Sequence, residues 1–377
     1  MDFSFTLEKT DSGSSARAGT LKTAHGEVKT PVFMPIGTQG TVKGLTPEEI
    51  SNVGVRMILG NTYHLYLRPG LEILKQAGGL HKFANWPFAM LTDSGGYQVF
   101  SLAALRKIHA EGVRFQSHID GSYHEFTPEN VIEKQRAIGA DVMMVLDECP
   151  PYPSSETYCA ESNQLTAAWA KRCKNAWTSQ PPLYGYDQAL FAIVQGGVYP
   201  HLRQLSARQL IELDFPGYAI GGLAVGEPAD LLYEMTGVTT ELLPVEKPRY
   251  LMGVGKPENL VEAVRLGVDM FDCVIPTRNG RKGQAFTRTG TLNLRNAKFK
   301  ELFEPIEQDC QCYTCQNYSC AYIRHLFQAG ELLGMRLVSL HNIYFFHTFM
   351  ADMRKAILSD NFEGWRKVFY ADYNTAQ

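Results

Sequence analysis

Three aspartates and a glutamine stand directly after short apolar runs in this 377-residue sequence: Asp93, Asp147, Gln195 and Asp272. Two carboxylates suit chemistry at an anomeric carbon, because one can attack as a nucleophile while the other moves a proton to or from the leaving group. A carboxylate beside an amide also offers acceptors and donors that can read a purine edge. A single aspartate is more often a helix cap or a surface group. The set, at matched positions, predicts a catalytic pocket.

Two neighbouring features fit a pocket for a flat, polar base. Gly221-Gly222 lets the backbone approach a ligand closely, so its amides could donate to a carbonyl oxygen. Tyr97 offers a flat face on which a flipped-out base could stack. A packed core tyrosine explains Tyr97 equally well without the other residues.

Three cysteines and a histidine form the pattern C-x-C-x2-C-x25-H: Cys310, Cys312, Cys315 and His341. Three thiolates and an imidazole suit a closed tetrahedral site, which is the structural type of zinc site. We expect His341 to open the last long helix, so that one ion joins this region to the rest of the fold. The alternatives are reduced, unrelated cysteines, or competing ligands from the nearby residues Cys320, His325 and His347.

The elements that must position these residues follow a repeated unit of apolar run, polar or glycine-containing loop, and amphipathic helix. Short apolar runs between helical patterns indicate parallel strands buried on both faces. Eight such units favour a closed barrel, whose active-site groups sit where the strands end. The eight predicted strands are Pro31–Ile36, Val55–Leu59, Phe88–Thr92, Val142–Leu146, Leu190–Val194, Tyr218–Ile220, Arg249–Gly253 and Val268–Phe271.

We therefore predict an α/β fold, a (β/α)8 TIM barrel with a zinc-binding subdomain inserted between the eighth strand and the last helix. Residues 1–377 form a single barrel unit, 1–30 an N-terminal antiparallel cap, and 276–345 the basic segment and zinc-binding insertion. Val113–Phe126 alternates around Asp120-Gly121 and predicts a β-hairpin. Four prolines are predicted at first helical positions, where a missing N–H costs least: Pro47, Pro128, Pro228 and Pro257.

Composition points to a soluble enzyme. The start of the chain lacks a basic region followed by an apolar run, and no stretch of 18 apolar residues occurs, so we expect a cytoplasmic protein without a membrane span. Eight cysteines in so large a chain indicate reduced thiols or a metal site. The net charge of −3 gives no global sign of nucleic-acid binding.

The distribution of charge is more informative than its sum. Between Asp272 and Glu301 no acidic residue occurs, whereas seven basic ones do. A local basic segment in a slightly acidic protein is typical of a phosphate-contacting surface. Charge alone leaves an ordinary solvated face as the alternative.

Taken together, these motifs resemble the bacterial tRNA-guanine transglycosylase family, also called queuine tRNA-ribosyltransferase. They run in order over nearly the whole chain and are jointly specific. Besides the zinc ligands, the segments that carry the resemblance are Thr92-Asp93-Ser94-Gly95-Gly96-Tyr97-Gln98, Asp147-Glu148-Cys149, Val194-Gln195-Gly196-Gly197, Gly221-Gly222-Leu223-Ala224-Val225-Gly226-Glu227, Tyr250-Leu251-Met252-Gly253-Val254-Gly255, Phe271-Asp272-Cys273-Val274 and Pro276-Thr277-Arg278-Asn279-Gly280.

The resemblance implies a role for each candidate residue. Asp272 would be the nucleophile that attacks C1′ of the ribose at position 34 of tRNA, and Asp93 the general acid/base. The base would be bound by Asp93, Tyr97, Asp147, Gln195, Gly222, Leu223 and Met252. The anticodon loop would contact Arg278, Arg281 and Lys282, which favours a functional basic segment. Val225 and Cys149 match the bacterial pattern, which uses 7-aminomethyl-7-deazaguanine (preQ1) and not queuine.

The resemblance also implies partners and a cofactor. The substrates would be guanine, preQ1 and tRNAs with a GUN anticodon, those for Asp, Asn, His and Tyr, in a step of queuosine biosynthesis. One structural Zn2+ per chain is expected, with no organic cofactor. Bacterial members are homodimers, and Tyr318, Tyr322 and His325 occupy the matching aromatic positions, while Lys43 and Glu331 could pair across the contact.

Two rival functions remain at this point. A metal-dependent barrel hydrolase would need histidine and carboxylate ligands at strand ends, where only His64 offers itself. A non-catalytic tRNA-binding subunit on the same fold is the second rival. The presence of both Asp93 and Asp272 argues against it.

Overall fold

The strands divide into one large parallel sheet and three small antiparallel ones. The computed structural model describes residues 3–96 and 106–373. In chain order the strands of that part are β1 (Ser4–Thr10), β2 (Arg17–Thr23), β3 (Gly26–Thr30), β4 (Val32–Pro35), β5 (Met57–Gly60), β6 (Ala89–Thr92), β7 (Arg106–His109), β8 (Gly112–Gln116), β9 (Tyr123–Phe126), β10 (Val142–Met144), β11 (Ala189–Val194), β12 (Gly217–Ile220), β13 (Arg249–Leu251), β14 (Met270–Cys273), β15 (Gln284–Thr287) and β16 (Gly290–Asn293).

The large sheet is a barrel. Its eight parallel strands lie in the order β4, β14, β13, β12, β11, β10, β6 and β5. A parallel bridge between Ile36 and Leu59 joins the two outermost strands and closes the ring. Central strands such as β11 are buried along their whole length, as expected when side chains fill the barrel on one face and helices cover the other. The predicted (β/α)8 barrel is confirmed, and each predicted strand ends within two residues of an observed one.

Helices surround the barrel and connect its strands. In chain order, the helices within residues 3–96 and 106–373 are α1 (Pro47–Val53), α2 (Thr62–Leu67), α3 (Leu71–Ala77), α4 (Leu80–Ala84), α5 (Pro128–Ile138), α6 (Glu156–Ser179), α7 (Pro200–Glu212), α8 (Ala229–Thr240), α9 (Pro257–Arg265), α10 (Ile275–Gly280), α11 (Tyr313–Asn317), α12 (Cys320–Ala329), α13 (Leu332–Leu358) and α14 (Phe362–Asp372). None of these helices is both long enough and apolar enough to cross a membrane.

Prolines mark several helix starts. Pro47, Pro128 and Pro257 occupy the first helical position, as predicted. The prediction for Pro228 was wrong by one residue, because its backbone is extended (ψ 150°) and the helix begins at Ala229. The ring fixes φ near −60° in both conformations, so a proline alone does not distinguish the cap from the first turn.

The N-terminal strands β1–β3 lie against the end of the barrel where strands begin. Arg17 Nε donates to Asp269 at 2.9 Å, and His25 Nδ1 lies 2.8 Å from Asp141. Each of these aspartates directly precedes or adjoins the start of a barrel strand, β14 or β10. The opposite end, where the strands finish, carries the candidate site.

Two insertions extend the barrel. β8 and β9 form the predicted hairpin around Asp120-Gly121, and β7 adds a third strand to it. The second insertion follows β14 and contains β15, β16, α11 and α12. The expectation that His341 opens the last long helix was wrong, because α13 begins at Leu332. Gly330, with φ 74°, ends the preceding helix, and α13 starts two residues later.

Candidate active site

A cavity of about 520 Å³ lies at the mouth of the barrel, where the parallel strands finish. The end of each strand fixes the direction of the residue that follows it, so side chains from separate strands converge there. The predicted residues that line this cavity are Asp93, Asp147, Cys149, Gln195, Gly222, Leu223, Val225, Met252, Asp272 and Arg278. The strand-end rule therefore brings the three aspartates and the glutamine to one pocket.

Asp272, on β14, is buried and held by one of its two oxygens. Oδ1 accepts a hydrogen bond from the Tyr250 hydroxyl at 2.5 Å and from the Gly253 amide at 2.8 Å. Among the described residues, none donates to Oδ2, so that oxygen is available to react. Burial raises the pKa of Asp272, and the two hydrogen bonds partly offset this effect.

Asp93 follows β6, and its carboxylate accepts hydrogen bonds from Asn61, Thr62 and Gly95. Its Oδ2 accepts from Asn61 Nδ2 at 2.5 Å, and its Oδ1 accepts from the amides of Thr62 at 3.0 Å and Gly95 at 3.1 Å. Asn61 is itself the N-cap of α2, accepting from the His64 amide. The carboxylate is thus oriented by the loop after β5 as well as by its own loop.

Asp147 and Gln195 form a buried pair on the neighbouring wall. Gln195 Nε2 donates to Asp147 Oδ2 at 2.7 Å, and the Ser94 hydroxyl lies 3.4 Å from Oδ1. Burial raises the pKa of Asp147 to about 6, and the Glu148 charge adds to the rise, while the Gln195 bond opposes it. The Gln195 carbonyl oxygen is buried and has no partner among the described residues. A buried polar atom without a partner is costly, which is typical of a group reserved for a ligand.

The glycines beside Gln195 are required by close packing. A Cβ on Gly222 would lie 2.3 Å from the Gln195 carbonyl oxygen, and one on Gly221 would lie 2.7 Å from its amide nitrogen. Gly222 also has a φ of +66°, which side chains disfavour. Any larger residue here would displace the glutamine from the cavity wall.

Several predicted residues lie elsewhere or outside the described part. Lys282 is exposed and Arg281 half-buried, and both follow α10, next to the cavity-lining Arg278. Tyr97 falls outside the described residues. Cys149 is half-buried, and burial raises the pKa of its thiol to about 12, so it is neutral near pH 7.

Two contributing residues were missed by the sequence analysis: Tyr250 and Arg203. Tyr250 donates to Asp272, and Arg203 is fully buried and donates to the carbonyl oxygen of Gly221. Asn61, which donates to Asp93, stands directly after β5, and this strand-end position marks it in the sequence. Tyr250 within β13 and Arg203 within α7 carry no such signal.

Comparison with known proteins identifies the family. A family model described as queuine tRNA-ribosyltransferase matches residues 11–375. The chain belongs to the queuine tRNA-ribosyltransferase family. Proteins named queuine tRNA-ribosyltransferase from Natranaerobius thermophilus, Thermoanaerobacter sp. and Pelotomaculum thermopropionicum are 57%, 55% and 55% identical to it. The alignments cover 99%, 98% and 99% of this chain and 100%, 97% and 99% of those proteins.

Membership in the queuine tRNA-ribosyltransferase family confirms the resemblance drawn from the motifs. The predicted enzyme class, a pentosyltransferase, is confirmed at the level of the family. The positions of the possible metal ligands also argue against the rival function, a metal-dependent hydrolase. Within residues 3–96 and 106–373, the two side-chain groups able to share an ion both lie away from the barrel mouth.

The second feature of this family member is a buried cluster that could hold a metal ion. Its members are the four predicted ligands, Cys310, Cys312, Cys315 and His341. His341 Nδ1 lies 3.4 Å from the sulfurs of Cys312 and Cys315 and 3.8 Å from that of Cys310. His341 Nε2 bonds to the Phe286 carbonyl oxygen at 2.8 Å, which places the ring proton there and leaves Nδ1 for an ion. Cys320, His325 and His347 are not in the cluster.

Proposed function

We propose that this protein is a tRNA-guanine transglycosylase that exchanges guanine at position 34 for preQ1 in tRNAs with a GUN anticodon. These are the tRNAs for Asp, Asn, His and Tyr, and the exchange is a step in queuosine biosynthesis. The observation that carries the proposal is the shared cavity. It holds two carboxylates, Asp93 and Asp272, beside Asp147, Gln195 and Gly222, whose hydrogen-bonding groups match a guanine edge.

Asp272 acts as the nucleophile. Its free Oδ2 attacks C1′ of the ribose, forming an ester-like bond to the sugar as the bond from C1′ to N9 of guanine breaks. Tyr250 and Gly253 hold the other oxygen, so the reacting one keeps a fixed direction. Asp93 gives a proton to the departing guanine. It then takes the N9 proton of preQ1, whose nitrogen attacks C1′ and releases Asp272.

The base is read by groups from adjacent strands. Asp147 accepts from the N–H groups of the base, the free Gln195 oxygen accepts another, and the Gly222 amide donates to the carbonyl oxygen. Leu223 and Met252 supply apolar contact, and we assign Tyr97 to the opposite face of the ring. Val225 and Cys149 limit the space beyond the 7-substituent, which favours preQ1 over queuine.

The tRNA lies along the basic segment that follows Asp272. Arg278 lines the cavity and is exposed, while Arg281 and Lys282 come directly after α10. Burial and the charge of Arg278 lower the pKa of Arg281. Two guanidinium groups that repel each other next to a cavity mouth are stabilised when a polyanion binds there.

The cysteine cluster holds one structural Zn2+. Tetrahedral bonds of about 2.3 Å to sulfur and 2.0–2.1 Å to nitrogen separate these ligand atoms by roughly 3.6 Å. The observed separations of 3.4 to 3.8 Å between His341 Nδ1 and the sulfurs match this value. The ion stabilises the insertion of residues 276–345. We propose that residues 1–377 form a single barrel unit, which includes this insertion and the N-terminal cap of residues 1–30.

We further propose that the enzyme is a cytoplasmic homodimer. Tyr318 and Tyr322 stack at 5.6 Å beside the cluster, and Tyr322 is exposed. Leu332 at the start of α13 is 78% exposed, and apolar groups of this kind favour a protein partner. His325 lies next to Tyr322, and Lys43 and Glu331 are both exposed and free to pair with a partner subunit.

The assay that tests the function is incorporation of labelled guanine into unmodified tRNA. Asp272→Asn should abolish exchange and also prevent any denaturant-resistant RNA adduct, because an amide is a poor nucleophile. Asp93→Asn should lose exchange by on the order of 100- to 10,000-fold, while retaining the nucleophile. An RNA adduct formed by Asp272→Asn would reverse the two roles, and inactivity of the unaltered enzyme on guanine would refute the function.

A further inference from the structure

A buried arginine lies directly behind the base-recognition wall of the cavity. Arg203 is on the first turn of α7 and has no measurable exposure. The first turn of a helix carries a partial positive charge, so a cation is unfavourable there. Desolvation adds to this cost, and it lowers the pKa of Arg203 to about 10, which still leaves the side chain charged near pH 7. Its contacts show what offsets these costs.

Arg203 bonds to two backbone carbonyls, one from each glycine loop. Its Nε donates to the Gly197 oxygen at 2.7 Å, and its Nη2 donates to the Gly221 oxygen at 3.0 Å. The first loop begins at Gln195, and the second contains Gly222. One planar guanidinium therefore fixes the two segments that carry the proposed base-binding groups.

The bond to Gly221 also determines where the next amide points. The peptide between Gly221 and Gly222 is trans, so its N–H points opposite to its C=O. Because the carbonyl faces Arg203, the Gly222 N–H faces the cavity. The neighbouring thiol agrees with this direction, since the Gly222 amide is close enough to lower the pKa of Cys149 against the larger effect of burial.

A charged donor on the carbonyl side also strengthens the amide on the other side. Hydrogen bonds to ionised groups are stronger than neutral ones, and bonds in a chain polarise each other. The Gly222 N–H is thus a better donor than an unassisted amide. The first glycine loop also packs tightly against α7, because a Cβ on Gly196 would lie 2.7 Å from the backbone nitrogen of Arg203.

We propose that Arg203 is a positioning residue that aims and polarises the Gly222 N–H toward the carbonyl oxygen of the bound base. It does not touch the base, and it sets the preference for bases that carry a carbonyl at the 6-position. This inference rests on the proposed function, because it requires a guanine-like base in the cavity. It goes beyond it by assigning the preference to a residue outside the cavity wall.

The test compares two bases on three variants. Guanine has the 6-carbonyl and 2-aminopurine lacks it, and the dissociation constant of each is measured by competition in the guanine-exchange assay. Arg203→Met removes the charge and both bonds, while Arg203→Lys keeps the charge but reaches only one carbonyl. Arg249→Met is the matched control, because Arg249 is also buried and donates to two carbonyls, but it lies where β13 begins.

We expect Arg203→Met to weaken guanine binding roughly tenfold, the effect of losing about one hydrogen bond from the Gly222 N–H to the base, and to leave 2-aminopurine within about twofold. Arg203→Lys should fall between Arg203→Met and the unaltered enzyme. Arg249→Met should lower the melting temperature without changing the ratio of the two constants. The ratio of the two dissociation constants is compared between each variant and the unaltered enzyme. This comparison cancels differences between the bases that do not depend on Arg203, including the N1–H that guanine has and 2-aminopurine lacks.

Equal weakening of both bases by Arg203→Met, or no weakening of either, would show that Arg203 is only structural. Should Arg203→Met fail to fold, the ratio measured for Arg203→Lys decides the question in the same way. Guanine exchange by the unaltered enzyme is measured first. Its absence would refute the proposed function by itself, whereas normal exchange with an unchanged ratio would refute this inference alone.

Discussion

Asp147 is a buried carboxylate whose pKa of about 6 lies close to working pH. Only its ionised form can accept the N–H groups of a guanine edge. Guanine affinity should therefore be constant well above pH 6 and fall roughly tenfold for each pH unit below it. The measurement is guanine inhibition or binding between pH 5 and 8. Asp147→Asn should bind weakly at every pH, and an equally steep fall in that variant would place the titrating group elsewhere.

The hydrogen bond from Tyr250 to Asp272 leads to a second prediction at the residue scale. The Tyr250 hydroxyl donates to the carboxylate and so lowers a pKa that burial raises. Removing the donor in Tyr250→Phe should raise the pKa of Asp272 further. Because the nucleophile is the ionised form, the acidic limb of kcat/KM should then move to higher pH.

The control for this change is Tyr218→Phe. Tyr218 is also a buried barrel tyrosine, but its hydroxyl accepts from the Phe215 amide near the start of β12. Its pH profile should match that of the unaltered enzyme. A shift of the same size in both variants would mean that loosening the barrel, and not the bond to Asp272, moves the profile.

At the scale of elements, β14 and α10 place the nucleophile and the basic segment next to each other. Asp272 is the penultimate residue of the strand, and Arg278 and Arg281 follow on the short helix and its cap. Arg281→Ala should weaken tRNA binding uniformly and reduce the slope of log affinity against log salt by about one. Binding at several salt concentrations measures both effects.

A suitable control is Arg208→Ala, an exposed arginine on the outer helix α7. It changes the net charge by the same amount but leaves the barrel mouth unaltered. Its salt slope should equal that of the unaltered protein. If Arg208→Ala and Arg281→Ala gave the same slope, the tRNA would not follow the basic segment.

For the whole molecule, the metal cluster joins the insertion to the barrel wall. Its cysteines lie in and just before α11, whereas His341 belongs to α13, which packs on the barrel through the rings of Phe346 and Phe33, 4.6 Å apart. One zinc per chain should co-purify, and Cys312→Ala should lose it together with several degrees of melting temperature, because binding of the ion contributes to folding. Metal analysis and thermal unfolding measure the two effects.

Cys320→Ala separates loss of a ligand from loss of a buried thiol. Cys320 is buried in the same apolar cluster but does not share the ion-binding group. This variant should keep its zinc. Stoichiometric zinc in a protein lacking both Cys310 and Cys312 would show that other residues bind the ion.

The sequence by itself determined the barrel, because strands buried on both faces must be short and apolar. Runs such as Leu190–Val194 therefore mark the strands wherever the rest of the chain lies, and β11 covers this run. The strand-end rule then placed Asp93, Asp147, Gln195 and Asp272 at one mouth. Local spacing likewise grouped the three cysteines of the cluster, since Cys310, Cys312 and Cys315 lie within six positions of the chain.

Only the tertiary structure decided which ordinary residues support that site. Tyr250 is 22 residues from Asp272, and Arg203 is 6 and 18 residues from the Gly197 and Gly221 carbonyls that it joins. Nothing in their own segments indicates these polar partners. The first residue of a helix also depended on the tertiary structure, since a proline such as Pro228 suits the N-cap as well as the first turn. Apolar patterning reports which face of an element is buried, but hydrogen bonds between elements depend on directions that arise only when the barrel closes.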